Sequence, residues 1–281
     1  MRFCTTKKII AAVLVAATVL CMSGCSAVLD GLRNGVAKIA NGDVDGFKNI
    51  VTLSGETAEE TVVPADGKEI TSVVLDGAAF NAVENGTAFI KIIPSAENKA
   101  EIKYQNDIKD YGFTATAQNG EFIIAANDGI QFRTACFEVT VYANCSSVSI
   151  GGSIELIMDG VSTANLEIEV QGAVKAQILD AHADSLSIVV NGAGEFDISG
   201  DVDTLSVEFN GAGELRAKEL ICKDADISIS GAGEAELSCT DTLSTDVSGA
   251  GSISYYGSPK VLKNNNGAAS VTRESVNVFG K

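Results

Sequence analysis

The stretch Leu186-Ser187-Ile188-Val189-Val190-Asn191-Gly192-Ala193-Gly194-Glu195-Phe196-Asp197-Ile198 decides the fold. Leu186, Ile188 and Val190 recur at period two, and after Gly192-Ala193-Gly194 the period resumes with Phe196 and Ile198. Apolar residues at alternate positions mark a strand with one buried face. The unit repeats along the chain. Gly-Ala-Gly begins at Gly192, Gly211, Gly231 and Gly249, with degenerate copies at Gly172 and Gly267, where Val174 and Ala269 replace the second glycine. The first glycines are 20, 19, 20, 18 and 18 residues apart, and Gly151-Gly152-Ser153 is a candidate earlier copy. The flanks repeat as well: Leu166, Ile168, Val170; Leu205, Val207, Phe209; Ala225, Ile227, Ile229; Leu243, Thr245, Val247.

A unit this short cannot bury an apolar face alone, whereas stacked copies can. The spacing therefore predicts an all-β fold, a parallel β-helix (solenoid) with coils of about 20 residues. A four-stranded propeller blade would need roughly 40 residues. The glycines are expected to supply positive φ or close backbone approach, and the intervening alanine methyls to point inward. Val174 and Ala269 are expected to distort their corners. The residues before each motif, Gln171, Asn191, Asn210, Ser230, Ser248 and Asn266, form a predicted polar corner ladder. Lys263 and Arg273 at core positions of the last coil indicate a C-terminal cap. Upstream, Ile70–Leu75, Thr87–Ile93, Ala100–Tyr104, Glu121–Ala125 and Phe137–Tyr142 read as strands, with turns at Asn85-Gly86 and Asn119-Gly120.

The N-terminus reads as an address. Arg2, Lys7 and Lys8 precede a short apolar run from Ile9 to Leu20, too short for a spanning helix of roughly 20 residues. Met22-Ser23-Gly24-Cys25 then resembles the lipobox of bacterial lipoproteins. That resemblance implies cleavage before Cys25, lipidation of Cys25, and a membrane-anchored, exported product at the cell membrane or outer membrane; an ordinary secretory signal is the rival reading. The organisation is thus 1–24 signal peptide, 25–69 lipidated Cys with a short helix and linker, and 70–281 β-helix. In the last, 70–145 is irregular and 146–275 holds the Gly-Ala-Gly coils and cap.

Lys plus Arg number 20 and Asp plus Glu 37, a net charge of −17 in 281 residues. This body excludes nucleic acid as a partner on electrostatic grounds. One histidine, His182, excludes a multi-histidine metal site. Beyond residue 25 the cysteines are Cys136, Cys145, Cys222 and Cys239, which allow three pairings. Export permits disulfides, but the chain is no Cys-dense scaffold, so buried free thiols are the plainer reading.

Phe80-Asn81-Ala82-Val83, Phe89 to Ile93, Phe137-Glu138-Val139-Thr140-Val141, Val148-Ser149-Ile150-Gly151-Gly152-Ser153 and the Gly-Ala-Gly coils together resemble the GIN-domain family of autotransporter-adhesin head domains. The resemblance covers about 70–275. It implies one β-helical domain in a bacterial exported protein or lipoprotein, and it carries no catalytic residues.

Three constellations remain. Glu195, Glu214 and Glu234 each follow a Gly-Ala-Gly, so stacked coils would align three carboxylates, a row that repels itself or invites a cation such as calcium. Lys175 and Ser252 bound the row, and the plainer reading is a solvated acidic edge. Asp180, His182 and Asp184 lie close in sequence and could serve acid–base chemistry, but no Trp is present to stack on sugars. Strand edges of the last coil leave an oligomer open. The expected function is a non-catalytic adhesion or binding module of the cell envelope with a glycan or protein partner. The alternatives are a β-helical carbohydrate-active enzyme and an envelope scaffold or signalling partner.

Overall fold

A computed structural model describes residues 49–52, 61–77, 80, 87–127, 130–134, 136–265 and 267–275. The signal segment 1–24, Cys25, the Asn85-Gly86 turn and Asn266 lie outside the described residues. Among those described, no helix is long and apolar enough to cross a membrane.

The chain is a parallel β-solenoid. Ala173–Val190, Ala193–Phe209, Ala212–Ile229 and Ala232–Val247 each make one coil as a nearly continuous strand, and each pairs in parallel with the next. Ser147–Ile150, Ser153–Asp159 and Ser162–Val170 lie on one side of this stack. Ala250–Gly257, Lys260–Asn265 and Ala268–Arg273 close the other. In-register neighbours sit about 4.8 Å apart. The alternating apolar residues point inward: Leu186, Ile188, Val190, Phe196, Leu205, Val207, Phe209, Ile227 and Ile229 are all buried. Each contributes about 1.5–3 kcal/mol relative to exposure.

Close approach, and not positive φ, explains the first glycine of each motif. The left-handed glycines among the described residues are Gly67, Gly112, Gly120, Gly160, Gly200 and Gly257, none of them in a Gly-Ala-Gly. Instead a Cβ on Gly192 would lie 1.9 Å from Gly172 O, on Gly211 1.9 Å from Gly192 O, and on Gly231 1.8 Å from Gly211 O. The corners stack as a glycine ladder with no room for a methyl.

The central alanines correct the expectation made of them. Ala193, Ala212 and Ala232 are half-buried at the corner, and the second glycine faces the core instead. A Cβ on Gly194 would meet the Phe196 ring at 2.6 Å, and on Gly213 the Phe209 ring at 2.3 Å. Val174 does not distort its corner. The pairing Ala173–Ala193 through Ile178–Ile198 runs unbroken, with Ala176 beside Phe196. Where valine replaces glycine, alanine replaces phenylalanine, and core volume is conserved. Ala269 likewise sits in register beside Gly251.

The irregular half is continuous with the coils, but out of sequence order. Ser72–Leu75 and Thr87–Ile93 pair on one side with Ser147–Ile150 and Ser153–Asp159, and on the other with Glu121–Ala125 and Cys136–Tyr142, all in parallel. The earliest coil is thus inserted between two later ones. Lys99–Tyr104 and Thr114–Gln118 then add antiparallel, and Thr61–Pro64 pairs antiparallel with the far edge of Lys99–Tyr104. Asn119 (φ 56°) and Gly120 (φ 88°) make the turn expected between Thr114–Gln118 and Glu121–Ala125. Phe80, Phe113, Phe132 and Phe137 plug this end, with Phe80 centroids 5.4 Å from both Phe132 and Phe137.

Candidate functional site

The positions three and five residues after each first glycine point outward, because those four and six after it fill the core. Stacking turns them into two parallel columns on one lateral face. The first is Lys175–Glu195–Glu214–Glu234–Ser252, the in-register carboxylate row expected from the repeats. The second is Gln177–Asp197–Arg216–Glu236–Ser254.

Arg216 organises both columns. Its Nε is 2.5 Å from Asp197 Oδ1 and its terminal nitrogen 3.2 Å from Asp197 Oδ2, a fork-to-carboxylate pair, and it also donates to Glu195 and Glu214. Hydrogen bonding to Asp197, then to Glu195 and Glu214, raises its pKa above the ordinary guanidinium value. Lys175 Nζ reaches Glu195 Oε1 at 3.1 Å, so Glu195 lies between two cations. Glu234 stands exposed at the far end of the row. The countercharge that aligned carboxylates call for is therefore supplied from within the chain for Glu195 and Glu214. Among the described residues no group of three or more His, Cys, Asp or Glu is placed to hold a metal ion.

Further along this face the Tyr256 hydroxyl donates to Glu236 Oε1 at 2.7 Å, and Lys218 Nζ lies 4.6 Å from the Tyr256 ring centroid. The hydrogen bond to Glu236 raises the phenol pKa. On the same face an open groove of about 340 Å³ is lined by Leu179, Asp197, Ile198, Ser199, Arg216, Lys218, Glu219 and Glu236. Leu179 is 41% exposed there, an apolar patch within a rim of donors and acceptors. Such a surface can grip a polar ligand on a rigid backing.

The repeats do not single out Arg216, because among the residues at its offset, Gln177, Asp197, Arg216, Glu236 and Ser254, arginine stands in one coil only. A signal was present: Asp197, Arg216 and Glu236 share one offset from their glycines, so opposite charges were bound to meet.

The other predicted residues separate into those brought together and those that are not. In the corner ladder, Asn210 Nδ2 donates to Asn191 Oδ1 at 3.0 Å and Ser230 Oγ to Asn210 Oδ1 at 2.9 Å. Gln171 turns to Glu169 within its own coil at 3.0 Å. Ser248 holds its place through its backbone N–H, which donates to Ile229 O at 3.0 Å. His182 is exposed, with Nδ1 2.5 Å from Asp201 Oδ2 and Nε2 3.3 Å from Asp180 Oδ1. Both ring nitrogens are engaged by carboxylates, Asp201 standing where Asp184 was considered. Cys145, Cys222 and Cys239 are buried thiols.

A parallel β-solenoid with a glycine ladder and a charge-patterned flank is the class of protein this geometry defines. The chain belongs to the family described as "Putative auto-transporter adhesin, head GIN domain", whose model matches residues 79–259. Among solved structures, a "putative adhesin" from Bacteroides fragilis is similar at 18% identity and TM-score 0.65, with 80% of this chain and 100% of that one covered. A "putative adhesin" from Parabacteroides distasonis is similar at 16% identity and TM-score 0.55, with 80% and 100% covered. A third, from the same species and described as a "putative lipid binding protein", is similar at 19% identity and TM-score 0.51, with 81% and 100% covered. These likenesses establish the fold. No curated protein matches the chain.

Proposed function

We propose that this protein is an exported, lipid-anchored, non-catalytic binding module of the cell envelope, which engages a glycan or protein partner through the lateral face around Arg216. The observation that carries the reading is the groove of about 340 Å³, whose charged rim is locked by ion pairs spanning successive coils. Preorganised polar groups lose little entropy on binding, which suits adhesion. Membership of an adhesin-head family supports the same role. The basic and apolar leader ending in Met22-Ser23-Gly24-Cys25 supports export and anchoring through Cys25. The acidic body would stand off an anionic head-group surface and leave the flank free to bind.

The test is binding of the full chain, displayed on lipid vesicles, to a panel of glycans and extracellular matrix proteins, with calcium and with chelator. Specific binding that falls at least tenfold in Lys218→Ala and Glu219→Ala variants of unchanged circular dichroism supports the reading. Absence of binding across the panel, or binding indifferent to both changes, overturns it. Loss on chelation, abolished by changing Glu234 to Ala, would add a cation to the site.

A further inference from the structure

Cys222 and Cys239 are direct partners in the ladder between the coils Ala212–Ile229 and Ala232–Val247. Neighbouring parallel strands place such Cα atoms about 4.8 Å apart, inside the 4.4–6.8 Å range that a disulfide spans. Both side chains point into the core, Cys222 1% and Cys239 0% exposed, so their Cβ vectors leave the sheet on the same side. The ladder is irregular on each side of the pair, between Ala217 and Ile221 and between Cys222 and Asp224. Only Ile221–Ser238 and Cys222–Cys239 keep register there, so the backbone has slack for the small adjustment a bridge needs. The thiols have only weak alternatives: Cys222 Sγ is 3.2 Å from Ser238 O, and Cys239 Sγ is 3.1 Å from both Lys223 O and Thr242 O. Cys145 lies elsewhere, 4.0 Å from Ile70 O.

We infer that Cys222 and Cys239 close a disulfide that staples these two coils where their ladder is weakest. The inference rests on the proposed export for its oxidant, the disulfide of a thiol oxidoreductase or of oxidised glutathione. The Cys239 thiolate attacks the oxidant disulfide while the coils are still docking, forming a mixed disulfide and releasing one thiol. Cys222 then loses its proton to water, and its sulfur displaces the second oxidant thiolate from Cys239. Two protein thiols are oxidised, and one oxidant disulfide is reduced to two thiols. The bridge closes a loop of 18 residues.

The full chain is refolded from denaturant in glutathione redox buffer, and separately with reductant, then mapped by non-reducing peptide mass spectrometry. Glutathione stands in for the cellular oxidant, so the outcome is independent of whether the protein is exported. A peptide linking Cys222 to Cys239, and a melting temperature higher by on the order of 5–10 °C in the oxidised form, are expected. Cys222→Ala and Cys239→Ala variants should each abolish the shift while keeping the β-rich circular dichroism. Should the two residues remain reduced, link instead to Cys145 or Cys136, or lower the melting temperature when joined, the staple is overturned.

Discussion

Val174 lies directly beside Gly194 in the ladder between neighbouring coils, and the residues that follow them exchange volume in compensation. Val174 is followed on the core face by Ala176, and Gly194 by Phe196, whose ring fills the space a Gly194 Cβ would take. Adjacent coils therefore solve one packing problem in opposite ways.

The exchange predicts a coupling. Gly194→Val should cost about 1–3 kcal/mol through overpacking against Phe196. Phe196→Ala alone should cost about 3–5 kcal/mol through the cavity it leaves. The double variant, which copies the Val174 coil, should be more stable than the sum of the two by at least about 1 kcal/mol. Denaturant titration of the four proteins measures this, and strict additivity would contradict the packing account.

The glycine ladder predicts a contrast between two glycines of one motif. Gly231→Ala forces a methyl to 1.8 Å from Gly211 O, a backbone atom that cannot swing aside. Gly233→Ala meets its nearest atom at 3.1 Å. The first change should lower stability by about 3 kcal/mol or prevent folding, the second by about 1 kcal/mol or less. Equal effects in thermal melts would remove close approach as the reason for the ladder.

Arg216 should matter to stability in a salt-dependent way. Arg216→Gln leaves Glu195, Asp197 and Glu214 without their shared cation. The expected loss, discounted for the partial exposure of the group, is on the order of 1–2 kcal/mol at low ionic strength. Part of it should return in 1 M salt, where like-charge repulsion is screened within about 3 Å. A loss unchanged by salt would mean that packing of the arginine stem dominates.

Cys145 and Asp66 give chemical readouts. Burial pushes the Cys145 thiol up to about 12, so the native protein should not alkylate there with iodoacetamide at pH 8 and should do so on unfolding. Mass spectrometry of the Cys145 peptide decides it. Asp66 accepts from the Asn119 N–H at 2.9 Å and the Lys68 N–H at 3.2 Å, and these bonds hold its carboxyl below the usual 3.8. Because the folded pKa is depressed, the tie is complete above the unfolded value and is lost as pH falls through the folded one. The Asn119 amide resonance should therefore titrate with a midpoint below 3.8 and stop titrating in Asp66→Asn.

The coils from Gln171 onward were legible in the sequence because each residue of a repeat predicts its neighbour above and below. Period two chose strand, the recurring glycines chose the corner, and the register of Glu195 with Glu214 followed. Which glycine faces the core was not legible, since it depends on whether Phe196 or Phe209 claims the inner space. The pairing of Ser72–Leu75 was hidden for a different reason. Four apolar-alternating residues fit many edges equally well, and nothing local states that their ladder partners lie 49 and 75 positions later. Arg216 lies at a shared offset with Asp197 and Glu236, but recurrence does not mark it, because no other coil places arginine there.

The insertion of Ser72–Leu75 and Thr87–Ile93 between Glu121–Ala125 with Cys136–Tyr142 and Ser147–Ile150 with Ser153–Asp159 bears on how the molecule is made. A chain that emerges N-terminus first produces these strands before either flank exists. They wait as a template with two open edges, each offering unpaired amides and carbonyls to whatever strand arrives first. Sealing needs both later segments, so the early half cannot mature by simple zippering, whereas every coil after Gly172 can be laid upon the one before. Slow closure, and the danger of mispairing, should therefore be concentrated in the least repetitive third of the chain, with the regular coils following quickly once that seat is formed.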